Sequence, residues 1–192
     1  AIDRDEALTR LGVAPDRKLI LAVGRLWPQK RYRDLIWSGE LIATLREDTT
    51  LVIIGDGPQR GELLRHRDAV TLPERVRFVG DRNDVSELLP HADLFWIGSE
   101  YEGQSNAVIE AMQAGVPVIA SDIPGNRDLV IADQTGHLVP LGDTAEFVRQ
   151  SQDVLENAAE ARRLGEAAAR RIATEFTVES MVRNHAELYQ RA

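Results

Sequence analysis

Five short apolar runs, each closed by glycine or a small polar residue, constrain this chain more than any other feature. They are Leu19–Gly24 (LILAVG), Leu51–Gly55 (LVIIG), Val76–Gly80 (VRFVG), Ala92–Gly98 (ADLFWIG) and Val116–Ser121 (VPVIAS). Runs dominated by β-branched, aliphatic and aromatic residues, with little polar alternation, suit strands covered on both faces, as in a parallel sheet. His137–Val139, after the turn Gln134–Thr135–Gly136, reads as a sixth, weaker strand.

Helical periodicity fills the gaps. Over Arg33–Glu47, residues Leu35, Ile36, Leu41, Ile42 and Leu45 form one stripe. Gln59–Leu72 starts after Pro58, a good first-turn residue. Asp84–Leu89 is short, with Asp84 as its N-cap, and Ser105–Ala114 follows a glycine. Asp143–Asn157, Ala159–Glu175 and Val178–Arg191 follow one another with no strand between them, and are expected to pack on the sheet's flank or on another surface. The alanine- and arginine-rich Ala158–Arg171 reads as a solvated helix. This order predicts right-handed crossovers and an α/β fold: a doubly wound, mostly parallel sheet of about six strands with C-terminal helices. Residues 1–18 are expected to be a linker or N-terminal helix, with Asp3-Arg4-Asp5 as helix-start or disordered sequence. Residues 19–192 are expected to form one Rossmann-like domain whose C-terminal helices begin near 143.

Composition removes several function classes. The 192 residues carry 23 basic and 31 acidic side chains, a net charge of −8, so no basic excess is available to neutralise nucleic-acid phosphates. There is no cysteine, which excludes disulfides, zinc thiolates and a cysteine nucleophile. No apolar run approaches the roughly 20 residues that span a bilayer. Ala1–Arg10 is charged from the start, unlike a secretory leader. A cytoplasmic location is the expectation.

In a doubly wound sheet, ligands bind at the carboxyl ends of the strands. After the first strand comes Gly24-Arg25-Leu26-Trp27-Pro28-Gln29-Lys30. Neither G-x-G-x-x-G nor a loop ending in G-K-S/T is present, which speaks against a nicotinamide dehydrogenase or an NTPase. The loop offers two cations, Arg25 and Lys30, in a chain with only two lysines among its 23 basic residues. Facing one anion, they suit a diphosphate; the alternative is two solvated surface charges. Gly55-Asp56-Gly57-Pro58 follows the second strand; its glycines serve either close ligand approach or turn chemistry. The loop after the fourth strand, Ser99 to Met112, carries Glu102 and Glu110, eight apart. With 16 glutamates that spacing means little alone, and Glu179 and Glu187 repeat it. Context separates the first pair. Glu102 lies just past a strand end, Gly103 turns the chain, and Asn106 and Glu110 share one face of the following helix. The free N–H groups of its first turn can hold an anion. The alternatives are a dipole-stabilised Glu102 and a solvated or ion-paired Glu110.

Together these residues resemble the donor-binding half of the GT-B glycosyltransferases, specifically the retaining "group 1" family often called GT4. The matching pieces are V-G-R-L-x-x-x-K at Val23–Lys30, G-D-G-P at Gly55–Pro58 and F-V-G-x-x-x-D-V at Phe78–Val85. E-x7-E at Glu102–Glu110, E-A-M-x-A-G-x-P-V-I-A-S at Glu110–Ser121 and T-G-x-L-V-P at Thr135–Pro140 complete the series. The resemblance implies transfer of a sugar from a nucleoside diphosphate sugar to an acceptor. Arg25 and Lys30 would bind the diphosphate and steady the leaving group. Glu102 would lie by the transferred sugar, and Glu110 would hold the ribose hydroxyls. Gly24 belongs to the diphosphate loop. Gly103 and the backbone around Gln104, Ser105, Asn106 and Ala107 would meet sugar or phosphate. Gly80 to Arg82 would contact the nucleobase. The resemblance implies no essential metal and no cofactor, since the nucleotide sugar is itself a substrate.

Such enzymes have a first, acceptor-binding domain, which this chain lacks. The isolated chain is therefore expected to bind but turn over little, and any peripheral membrane contact would come through the missing half. Three positions depart from the usual family pattern. Arg31 stands where glycine is common. Gln104-Ser105-Asn106 replaces Phe-Gly-Leu. Pro124-Gly125-Asn126-Arg127 replaces a glycine-rich, glutamate-containing segment. The alternatives are a nucleotide-sugar epimerase or phosphorylase-like GT-B enzyme, or a non-catalytic nucleotide-binding module.

Overall fold

A computed structural model of the chain describes residues 2–177, 180 and 182. Six parallel strands form one sheet: β1 (Lys18–Val23), β2 (Thr49–Ile54), β3 (Val76–Phe78), β4 (Leu94–Ile97), β5 (Val118–Ser121) and β6 (His137–Val139). Their spatial order is β3-β2-β1-β4-β5-β6, so the direction of progression reverses between β1 and β4. The helices are α1 (Arg4–Leu11), α2 (Tyr32–Leu45), α3 (Arg60–Val70), α4 (Val85–Leu88), α5 (Asn106–Gln113), α6 (Pro124–Arg127), α7 (Thr144–Glu156) and α8 (Ala158–Glu175). Of the expected helix over Val178–Arg191, all but Ser180 and Val182 lie outside the described residues.

Side-chain alternation along the strands divides the core in two. Leu19, Leu21, Val52, Ile54, Phe95 and Ile97 pack with buried residues of α1, α5 and α8. Ile20, Ala22, Leu51, Ile53 and Trp96 pack with those of α2, α3 and α7. Trp96 meets Phe147 of α7 edge to face, with ring centroids 5.2 Å apart. The strands are thus covered on both faces, which explains why their sequences show no polar alternation.

The structure corrects several sequence expectations. Of the two readings of residues 1–18 the helix is the one seen: Arg4–Leu11 is helical, its Ala7, Leu8 and Leu11 are buried in the core, and Asp3 Oδ1 caps it by accepting from Glu6 N at 2.8 Å. Leu45 is exposed, because α2 ends there, one turn beyond the surface that buries Ile42. Asp84 stands at the start of α4 but caps nothing; its carboxylate is taken by Arg82 and Arg10. The helix Ala158–Glu175 is not a solvated one: Leu164, Gly165, Ala168 and Ile172 are buried. A Cβ on Gly165 would lie 2.0 Å from the Gly115 carbonyl oxygen, so the small residues read as solvation signals serve a close helix crossing. The short helix α6 was not expected.

Candidate functional site

The strand order reverses between β1 and β4, and in a doubly wound sheet the crevice that takes ligands lies at the carboxyl ends of two such strands. Backbone pairing continues past the strands on one side. Gly24 N donates to Ile54 O at 3.0 Å, Leu26 N to Asp56 O at 2.9 Å and Gly55 N to Gly80 O at 2.8 Å. The close packing of these loops accounts for two of the glycines. A Cβ on Gly55 would stand 2.1 Å from Gly24 O, and one on Gly57 would stand 2.7 Å from Leu26 O. The G-D-G-P turn therefore admits protein backbone rather than a ligand. At Gly80 and Gly103, by contrast, an added Cβ would meet nothing within 4 Å. These two glycines border open space.

The crevice holds one ion pair. Residues Pro28–Lys30 form a single 3-10 turn, and Lys30 Nζ reaches across to Glu102 Oε1. Their side chains are 16% and 10% exposed, so solvent screens the pair little. Ser99 Oγ donates to the same Oε1 at 2.7 Å. Glu102 Oε2 has no hydrogen-bond partner among the described residues and is the oxygen left for a ligand. Tyr32, buried at the start of α2, donates its hydroxyl to Gly24 O at 3.1 Å. Burial first, and the nearby Glu102 charge second, push its phenol far above the usual tyrosine range, so it stays a neutral donor. The two site loops are also tied directly: Glu100 N donates to Gln29 O at 2.9 Å and Tyr101 hydroxyl to Gln29 Oε1 at 2.8 Å.

Arg25 differs from Lys30. It is exposed, and its guanidinium lies 5.6 Å from the centroid of the half-exposed Trp27 ring, with no ion pair among the described residues. The two cations are therefore unequal: one is neutralised inside the crevice, the other parked on an aromatic face at its edge. Glu110 is exposed on α5, one turn beyond exposed Asn106, and forms no ion pair among the described residues. The α5 N-terminus is open. Ser105 occupies the cap position without a side-chain cap bond, and the N–H groups of Gln104, Ser105, Asn106 and Ala107 bond to nothing among the described residues. Four adjacent free donors with a helix dipole behind them favour an anion or a sugar oxygen.

Of the expected site residues, the structure brings Gly24, Lys30 and Glu102 together, with Gly103 and Gln104–Ala107 following Glu102 in the chain, and it joins neither Arg25 nor Glu110 to them by an ion pair. Arg82 does not offer a free side chain. Its guanidinium forks onto Asp84 at 2.6 and 2.8 Å and holds that carboxyl below the usual aspartate range. The backbone of Gly80–Arg82 and the exposed Asp81 side chain remain there. Sequence reasoning missed Ser99 and Tyr32; the three-residue step from Ser99 to Glu102 at a strand end was the available signal for the first.

Arg31 occupies the left-handed region at φ 52°, just after the Pro28–Lys30 turn, and its side chain bonds Asp34 at 2.7 Å. A residue here without a Cβ escapes the backbone cost, which is the physical reason glycine suits this position. Arg31→Gly is expected to change unfolding free energy by less than about 1 kcal/mol, because strain relief offsets a lost half-exposed ion pair. Arg31→Val, which keeps the strain and loses the pair, is expected to cost about 1–2 kcal/mol more than Arg31→Gly in urea denaturation.

Comparison with known proteins places this geometry. The N-acetyl-alpha-D-glucosaminyl L-malate synthase of Bacillus anthracis is 28% identical over 187 residues, covering 97% of this chain and 49% of that protein. The UDP-Gal:alpha-D-GlcNAc-diphosphoundecaprenol alpha-1,3-galactosyltransferase of Escherichia coli is 34% identical over 141 residues, covering 72% and 36%. Anabaena Alr3699/HepE in complex with UDP-glucose superposes with a TM-score of 0.87 at 25% identity, covering 98% of this chain and 52% of that one. The chain thus spans half or less of these two curated relatives' length. The model of the glycosyl transferases group 1 matches residues 3–171, and the chain belongs to that family.

Proposed function

We propose that this chain is the donor-binding half of a retaining glycosyltransferase that moves a hexose from a nucleoside diphosphate sugar to an acceptor bound by a separate domain. The observation that carries the reading is the Lys30–Glu102 pair beside four unbonded N–H groups, all at the topological switch point. A diphosphate satisfies the free donors and the cation. The remaining oxygen of Glu102 meets hydroxyls of the sugar, Glu110 meets the ribose, and the backbone of Gly80–Arg82 meets the base. Relatives named for UDP-galactose transfer and solved with UDP-glucose make a UDP-hexose the first donor to test.

In the reaction the anomeric carbon–oxygen bond breaks and its electron pair passes to the diphosphate. The charge that develops on the leaving oxygens exceeds that of the bound donor. Lys30, Arg25 and the α5 N-terminus therefore stabilise the transition state more than the ground state. The acceptor oxygen bonds to the anomeric carbon on the same face, and its proton leaves with the diphosphate. No cofactor takes part in this scheme.

Isothermal titration of the chain with UDP, GDP and ADP tests the reading. Saturable binding of one of them, with UDP favoured, is the expected result. A folded sample that binds none of the three defeats the assignment.

A further inference from the structure

Glu102 is held by a chain of polar groups that runs from Ser99 to Asn126. Ser99 Oγ bonds the Glu102 carboxylate, and Ser99 O accepts from Ser121 Oγ at the end of β5. Asn126 of α6 donates through Nδ2 to Ser121 O at 2.8 Å and to Ser121 Oγ at 3.2 Å. Ser99, Ser121 and Asn126 are all buried, Asn126 completely. Asn126 Oδ1 has no partner among the described residues, a costly arrangement for a buried amide and one that an apolar residue would avoid. The backbone repeats the message. A Cβ on Gly125 would lie 2.3 Å from Glu102 O and 2.7 Å from Gly103 O, so α6 presses directly on the loop that carries Glu102.

We infer that Ser121 and Asn126 are positioning residues: through Ser99 and the seat of α6 they fix the Glu102 carboxylate so that Oε1 meets Lys30 and Oε2 faces the sugar. The effect of this clamp on donor choice rests on the function proposed above. The clamp itself can be observed without any ligand. The chain has only two lysines, so at most two side-chain ammonium signals need assignment by NMR. Lys18 is an internal reference, paired with Asp93 at 3.2 Å at the opposite end of β1.

The experiment measures ammonium hydrogen exchange in the wild-type chain and in Ser99→Ala, Ser121→Ala, Ser121→Thr and Asn126→Ala. The three alanine variants are expected to speed Lys30 exchange by about tenfold, the worth of one charge-assisted hydrogen bond. Lys18 should not change, and Ser121→Thr, which keeps the hydroxyl, should behave as wild type. Unchanged Lys30 exchange in the alanine variants overturns the inference, as does equal loosening of Lys18. Should one alanine variant fail to fold, the other two carry the test. Calorimetry then compares UDP-glucose with UDP: the alanine variants are expected to lose about tenfold in preference for the sugar nucleotide over UDP. Altered Lys30 exchange with an unaltered preference overturns the positioning role. Wild-type protein that binds neither nucleotide retires the proposed function, and the exchange data alone then decide the clamp.

Discussion

Lys30→Ala is expected to weaken nucleoside diphosphate binding by about a hundredfold, an effect of about 3 kcal/mol. Two losses combine. The ammonium's charge-assisted hydrogen bonds to the diphosphate vanish. Glu102, 10% exposed, is also left as an unpaired anion facing the incoming phosphates. Glu102→Gln should act in the opposite direction. Removing the carboxylate frees Lys30 and takes away a repulsion, so UDP affinity should rise by about threefold to tenfold while the preference for UDP-glucose over UDP falls. Arg25→Ala, at an exposed edge, should cost only about tenfold. Titration of the three variants with UDP and UDP-glucose separates these effects. Equal UDP affinity in Lys30→Ala and wild type would remove the ammonium from the diphosphate site.

Gly55→Ala is expected to destabilise the fold by about 3 kcal/mol or more, measured by urea denaturation. At φ 131° the backbone lies where residues with a Cβ rarely go, and the added atom would sit 2.1 Å from Gly24 O. That carbonyl belongs to the loop after β1 and also accepts from Tyr32, so relief by movement would drag the Lys30 loop with it. Gly80→Ala is the control. Its φ of 76° carries a conformational cost of about 1 kcal/mol, but the new methyl meets nothing. It should leave the fold intact and reduce nucleotide binding only if a ligand occupies the open space beside it. A Gly55→Ala protein as stable as wild type would show that the β1 and β2 loops are not locked together.

Sequence patterning conveyed the strands well because burial on both faces leaves uninterrupted apolar runs, and all six were recognised within a few residues. The order of strands was legible only as a class, since pairing depends on contacts distant in the chain. Helix α6 escaped because four residues, two of them Pro124 and Gly125, present no period. Ala158–Arg171 misled because alanine and glycine serve equally in a solvated helix and in a close crossing, and only Gly115 across the contact decides between them. At the site, the glutamate pair and Lys30 were singled out through their position past strand ends, and the structure joins Lys30 to Glu102 while Glu110 stays exposed on α5. The pairing of Arg82 with Asp84, and the resting place of Arg25 on Trp27, are side-chain choices among nearby partners. Spacing in a sequence does not specify them.

The sheet's two outermost strands, β3 and β6, are three residues each, while the long strands β1 and β2 lie inside. An edge this brief exposes only a few unpaired amides and carbonyls, too few to template a neighbouring molecule's strand. Overexpression should therefore favour dispersed molecules over ribbon-like fibrils, even at the high concentrations that magnetic resonance on this chain requires.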